Sequence, residues 1–237
     1  MMNESAWLKN ISGSYSHIAP NAPYKEINFE ADFSHPFTCI ISGPSSSGKT
    51  TFIKKLIDIS DTRIVPSPSV IVYVYTEWQS VFDEMKGVEF RKSIPSLNDL
   101  DNALLIIENF MNEIDMGIAN FFTRVRHHRN VSVILVTQNL FHQNKHFRTC
   151  SLNAKYMIIF KNPRDTLQIK HLARSVFAGE TNRFLEAYKN ATERPFGYLL
   201  IDLRQSTPHN YRLRTWVLDD HPQGATHQAV YYPQDTR

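Results

Sequence analysis

One stretch, Gly43-Pro44-Ser45-Ser46-Ser47-Gly48-Lys49-Thr50, limits the folds open to this chain more than any other feature. It matches the pattern G-x-x-x-x-G-K-[ST] in full. The apolar run Phe37–Ser42 (FTCIIS) precedes it, and Phe52, Ile53, Leu56 and Ile57 recur behind it at helical spacing. A strand that breaks into a glycine loop and resumes as an amphipathic helix is the context in which such a loop holds a phosphate. Each position has a physical reason. Glycine opens backbone angles closed to other residues and lets the chain approach an anion. The N–H groups from Ser45 through Ser47 and on to Thr51, at the helix N-terminus, face phosphate oxygens. Lys49 adds a full positive charge, and the Thr50 hydroxyl is a ligand for Mg²⁺. The spacing predicts a bound Mg²⁺-nucleotide, ATP being the expected one.

The remainder repeats the strand-and-helix alternation. Ser69–Tyr75, Ala103–Asn109, Val131–Asn139 and Ala154–Lys161 are strand-sized apolar runs. Ile114, Ile118, Phe121 and Phe122 mark a helix, and Ile169, Leu172, Ala173, Val176 and Phe177 mark another that Asn162-Pro163 should start. Gly197–Leu203 and Tyr211–Val217 read as late antiparallel strands. Near-continuous apolar strands between helices predict an α/β, three-layer P-loop fold, its mostly parallel sheet covered on both faces. We expect an N-terminal arm over 1–25, one domain over 26–220 and a polar tail over 221–237.

The chain has 237 residues, 42% of them apolar, enough for a sizeable core. No apolar run reaches membrane length, the N-terminus lacks the apolar centre of a signal peptide, and Cys39 and Cys150 cannot form a framework. The expected setting is the cytoplasm or nucleus of a cell, without secretion or membrane attachment. The net charge of +3 hides an asymmetry: residues 121–174 carry 10 Lys and Arg against one acid, Asp165. Such a segment is either a solvated basic face or a surface for phosphates, from a nucleic acid or from a neighbouring subunit's nucleotide.

A P-loop enzyme needs a carboxylate at the end of a nearby apolar strand for the metal shell, and a hydrolase usually adds a second for the attacking water. Only LLIIEN ends this way, which puts Glu108 at the metal position and Asn109 at the water position. An amide can orient water but cannot take its proton; Glu113 and Asp115 lie just beyond and could serve if the chain bends back. Gln138, ending the run Val131–Asn139, suits a γ-phosphate sensor if that strand is inserted between the loop strand and the Glu108 strand. That insertion separates ATPases with an extra central strand from small nucleotide kinases, and no arginine-rich lid favours a kinase.

Three further motifs are more specific: "HHRN" followed by an apolar run and "TQNLF", "RT" with "SLNA", and "FKNPRD" with "QI" and "LAR". With the phosphate loop and "RPFGYLLIDL", the likeness covers roughly residues 36–217. On these residues the chain resembles the virion genome-packaging ATPases of the poxvirus and Maverick/Polinton type, within the FtsK–HerA superfamily. The resemblance implies a RecA-like core, a ring homo-oligomer, ATP with Mg²⁺, double-stranded DNA as the translocated substrate, and a capsid or portal partner. The setting it implies is the cytoplasm or nucleus of a host cell, or association with a virion. The family shows two acids where this chain has Glu108-Asn109, a change consistent with slow hydrolysis or an assembly role. A ring motor completes its site with an arginine from the next subunit. Arg148, in "HFRTCSLN", is the candidate, with Arg164 as a second. Arg124, Arg126 and Arg129 are candidates for DNA phosphate contacts. His127, His128, His142 and His146 lack the cysteine or carboxylate spacing of a metal site.

Overall fold

The computed structural model describes residues 24–27, 32–108, 114–140, 144–164, 166–218 and 228–232, without the side chains of 25–27 and 124–128. Contacts divide the chain into two compact units, Ala31–Met157 and a second made of Ile158–Arg237 with Met1–Glu30. The described chain starts with β1 (Lys25–Ile27), a strand of the second unit.

In the first unit β2 (Phe33–Ser34) leads to β3 (Thr38–Ser42), which enters the phosphate loop. Helix α1 (Lys49–Asp58) leaves that loop and buries Phe52, Ile53, Leu56 and Ile57. Full burial of each such side chain contributes about 1.5–3 kcal/mol. The short α2 (Ser60–Arg63) and β4 (Ile64–Val65) follow, and β4 pairs in parallel with β2. Next come β5 (Val70–Val74), a 3₁₀ turn at Ser80–Glu84, β6 (Val88–Arg91) and β7 (Ala103–Glu108). Helix α3 (Met116–His128), β8 (Ser132–Thr137) and α4 (Lys145–Asn153) complete the unit, and β9 (Tyr156–Phe160) carries the chain out of it.

Its strands lie in the order β3-β8-β7-β5-β6, all parallel. Every residue of β3, β7 and β8 is buried, as expected of parallel strands enclosed on both sides. The register places Ser42 beside Thr137, and Glu108 beside Val136. Three strand ends therefore meet at one edge, and the loop begins there.

The second unit holds α5 (Thr166–Val176), α6 (Thr181–Ala191), β10 (Tyr198–Asp202), β11 (Leu213–Thr215) and β12 (Gln228–Val230). The late strands are antiparallel as expected, β11 pairing with β10 and β12, and β12 with β1. An α/β fold with a mostly parallel sheet and late antiparallel strands is what the structure contains. Five details differ from the sequence reading. Asn162 does not start a helix: its Oδ1 accepts from the Arg164 N–H at 3.2 Å, closing a turn, and α5 begins at Thr166. Helices α4 and α6 and strand β6 were not anticipated. Gln228–Val230, within the segment read as a polar tail, is a buried strand.

Candidate active site

The loop is shaped by two residues in the left-handed region, Ser46 at φ 62° and Gly48 at φ 100°. The Gly43 N–H still donates to Thr137 O at 3.3 Å, tying the loop's entrance to β8, and the Ser47 N–H donates to Pro44 O at 3.3 Å. Gly48 caps α1 with no side-chain hydrogen bond, and no acidic residue occupies the first turn. The first N–H groups of a ten-residue helix are thus left for an anion. Thr51 is exposed in that turn, and Ser45 is exposed at the loop's crown.

Lys49 is buried, and its Nζ donates to Gly43 O and Pro44 O at 2.8 Å each. An ammonium has three donors, so one remains for a ligand. Burial lowers the Lys49 pKa, an effect the Glu108 carboxylate partly offsets. Burying an ammonium opposes folding unless an anion repays it, and the uncapped helix end beside it makes a phosphate the fitting one.

Glu108, the last residue of β7, is 3% exposed. Its Oε1 accepts from the Thr50 hydroxyl at 3.0 Å, and its Oε2 accepts a short hydrogen bond from the Tyr73 hydroxyl. Two strand spacings separate β7 from β3, about 10 Å, and the inserted β8 fills that gap. The glutamate's extra methylene helps the carboxylate reach Thr50 across it. A hydroxyl and a carboxylate in contact at a phosphate-binding helix end are hard oxygen donors that suit Mg²⁺, which keeps most of its waters. Thr50 and Glu108 would hold it.

Gln138 follows β8 directly. The Thr137 hydroxyl accepts from the Asn139 N–H at 3.2 Å and donates to Asn139 O at 2.9 Å, which bends the chain tightly with Gln138 exposed inside the bend. The structure therefore gathers Gly43–Thr51, Glu108 and Gln138 at the ends of three adjacent strands. Asn109, Glu113 and His142 lie outside the described residues, as do the side chains of Arg124, Arg126, His127 and His128. Asp115 caps α3, its Oδ1 accepting from the Ile118 N–H at 3.0 Å.

Arg148 is exposed in the first turn of α4 and makes no hydrogen bond or ion pair to the loop of its own chain. Arg164 is exposed in the turn before α5. Arg129 belongs elsewhere: its guanidinium donates to Asn98 O at 2.9 Å, and its own carbonyl accepts from the Asn102 N–H. Both contacts lie where β7 and β8 start, the opposite edge from the phosphate loop. Tyr73 was missed. In the sequence it is one aromatic in the run IVYVY, although a buried tyrosine must place its hydroxyl on a partner. Burial and the adjacent Glu108 carboxylate push its pKa far above the ordinary tyrosine range, so it remains a donor.

The decisive feature is the strand order β3-β8-β7, in which a strand ending in a polar turn stands between the loop strand and the carboxylate strand. The fold is that of the RecA-like P-loop ATPases. The genome packaging NTPase B204 of Sulfolobus turreted icosahedral virus 2, in complex with sulfate, superposes with a TM-score of 0.52 at 15% identity, over 73% of this chain and 94% of that one. Its complex with ATP-γS gives 0.50 at 14% identity, over 73% and 94%. B204 of Sulfolobus turreted icosahedral virus, a DNA-packaging ATPase, gives 0.50 at 16% identity, over 73% and 96%. No family model and no curated protein sequence matches the chain.

Proposed function

We propose that this chain is a Mg²⁺-dependent ATPase that moves double-stranded DNA, working as a ring of identical subunits that fills a viral or transposon-like capsid. The observation that carries the reading is the contact between Thr50 and Glu108 across an inserted β8, with Gln138 at that strand's end. The packaging role is supported by likeness to a packaging ATPase and by the sequence motifs between His127 and Arg174.

In this reading the loop N–H groups and Lys49 bind the β- and γ-phosphates, and Lys49 turns its third donor to the γ-phosphate. Thr50 and Glu108 hold Mg²⁺, which supplies charge neutralisation on the phosphate oxygens when bound. Gln138 hydrogen-bonds the γ-phosphate or the water in line with it, and Asn109 orients that water. Arg148 reaches the nucleotide of the neighbouring subunit, which accounts for its exposure.

A second reading, a slow or silent nucleotide switch for ring or capsid assembly, is favoured by one residue: Asn109 has no basic oxygen for the water's proton. Turnover measured with and without duplex DNA separates the two. A motor hydrolyses ATP faster with DNA and loses that response with Lys49→Ala. Tight ATP binding without turnover, DNA present, supports the switch instead.

A further inference from the structure

Both oxygens of the Glu108 carboxylate are occupied, and by different elements. Oε1 meets Thr50 on α1, and Oε2 meets Tyr73 on β5. The sheet makes this geometry possible. Tyr73 pairs with Ile106, two residues before Glu108 on the adjacent parallel strand, so the two side chains share one face as diagonal neighbours. The Tyr73 ring is fixed in turn, fully buried against Phe82 at 5.0 Å and Phe90 at 5.6 Å between centroids. Phe82 belongs to the 3₁₀ turn and Phe90 to β6, so elements beyond β5 hold the ring.

A glutamate has one more side-chain torsion than an aspartate, and a free carboxylate there would sample several positions. With Oε2 held, Oε1 is turned toward Thr50 before any ligand arrives. We infer that Tyr73 is a positioning residue for Mg²⁺: its hydroxyl holds the Glu108 carboxylate in the orientation that completes the metal's oxygen set with Thr50. The inference rests on the nucleotide-site reading above and adds a residue that neither the motifs nor the comparisons assign. A tyrosine that merely satisfied its hydroxyl in the core would affect stability and leave metal affinity alone.

The test is a Mg²⁺ titration of fluorescent ADP binding to the full chain, wild type against Tyr73→Phe, with affinity in EDTA measured alongside. Phenylalanine keeps the ring packing and removes only the hydroxyl. The half-saturating Mg²⁺ concentration should rise about 10- to 100-fold, the usual cost of losing a partner of a metal ligand, while affinity in EDTA is unchanged. A variant whose Mg²⁺ dependence stays within about twofold of wild type overturns the role of Tyr73 and leaves the nucleotide site standing. A wild-type protein that shows no Mg²⁺-dependent binding overturns both.

A second measurement needs no variant. In wild-type protein carrying ¹³C at the tyrosine Cζ, the resonance of the carboxylate-bonded tyrosine should differ between Mg²⁺-ADP and ADP in EDTA. A resonance that does not respond to Mg²⁺ contradicts the inference.

Discussion

At the residue scale, the site depends on a few side chains whose surroundings leave them little freedom. Lys49 is buried against two loop carbonyls, Thr50 against Glu108, and Glu108 against Tyr73. In the proposed mechanism, Asn109 is the residue on which rate depends. Asn109→Asp supplies the missing basic oxygen and is expected to raise ATP turnover, by as much as about 10²–10⁴ if proton removal limits it. Steady-state hydrolysis checks this, and an unchanged rate means that Asn109 is not beside the attacking water. The motif made Gly43–Thr51 and Glu108 legible, because phosphate and metal chemistry leaves few alternatives in sequence. Tyr73 was not legible, since its role comes from cross-strand register, which one strand's sequence does not carry. The capping role of Asp115 at the start of α3 was not legible for a similar reason.

At the scale of elements, the two edges of the parallel strands do different work. At the edge opposite the phosphate loop, buried polar groups tie β2, β3, β7 and β8 together. The Phe37 N–H donates to Ser132 Oγ at 3.0 Å, Ser132 Oγ lies 2.5 Å from His35 Nδ1, and His35 Nε2 lies 3.1 Å from Asn102 Oδ1. A neutral ring satisfies this chain, with Ser132 donating to Nδ1 and Nε2–H donating to Asn102. Burial lowers the His35 pKa below its ordinary 6.5. The unfolded chain then takes up a proton that the folded one refuses. His35 thus contributes stability that is full above about pH 6.5 and is lost as the pH falls from there through its folded pKa. Urea unfolding between pH 7.5 and 5 should show a steeper acid loss for wild type than for His35→Gln. Equal slopes contradict the assignment.

The elements differ in how far the sequence revealed them. Strands β3, β5, β7, β8 and β9 were legible because each is a dense apolar run. Helix α4 was not, since only Phe147 and Cys150 of its nine residues are buried. Helix α6 buries Phe184, Ala187 and Ala191, a helical stripe blurred by two alanines. The four-residue β6 gains its place by pairing with β5, with no fully buried side chain to signal it.

At the scale of the whole molecule, the account requires subunits that complete one another's sites. No helix among the described residues is long and apolar enough to cross a membrane. The basic balance of residues 121–174 suits phosphate partners. The exposed Arg148 offers a direct probe of assembly. In a head-to-tail ring, a Lys49→Ala copy has no working site of its own yet still presents Arg148 to its neighbour. A mixture of Lys49→Ala and Arg148→Ala proteins should therefore hydrolyse ATP faster than either variant alone. A mixture no more active than its parts contradicts the trans role of Arg148.

The functional claims depend on one site binding Mg²⁺-ATP between Gly43–Thr50 and Glu108. Calorimetric titration of a non-hydrolysable ATP analogue, with Mg²⁺ and then with EDTA, into wild type and Lys49→Ala tests it most directly. Wild type should bind one nucleotide per chain, more tightly with Mg²⁺. Lys49→Ala should lose at least about tenfold in affinity, the loss of one charge-assisted phosphate contact, while its thermal unfolding is unchanged or improved because a buried ammonium is gone. Equal binding by the two proteins, or none by wild type, contradicts the account.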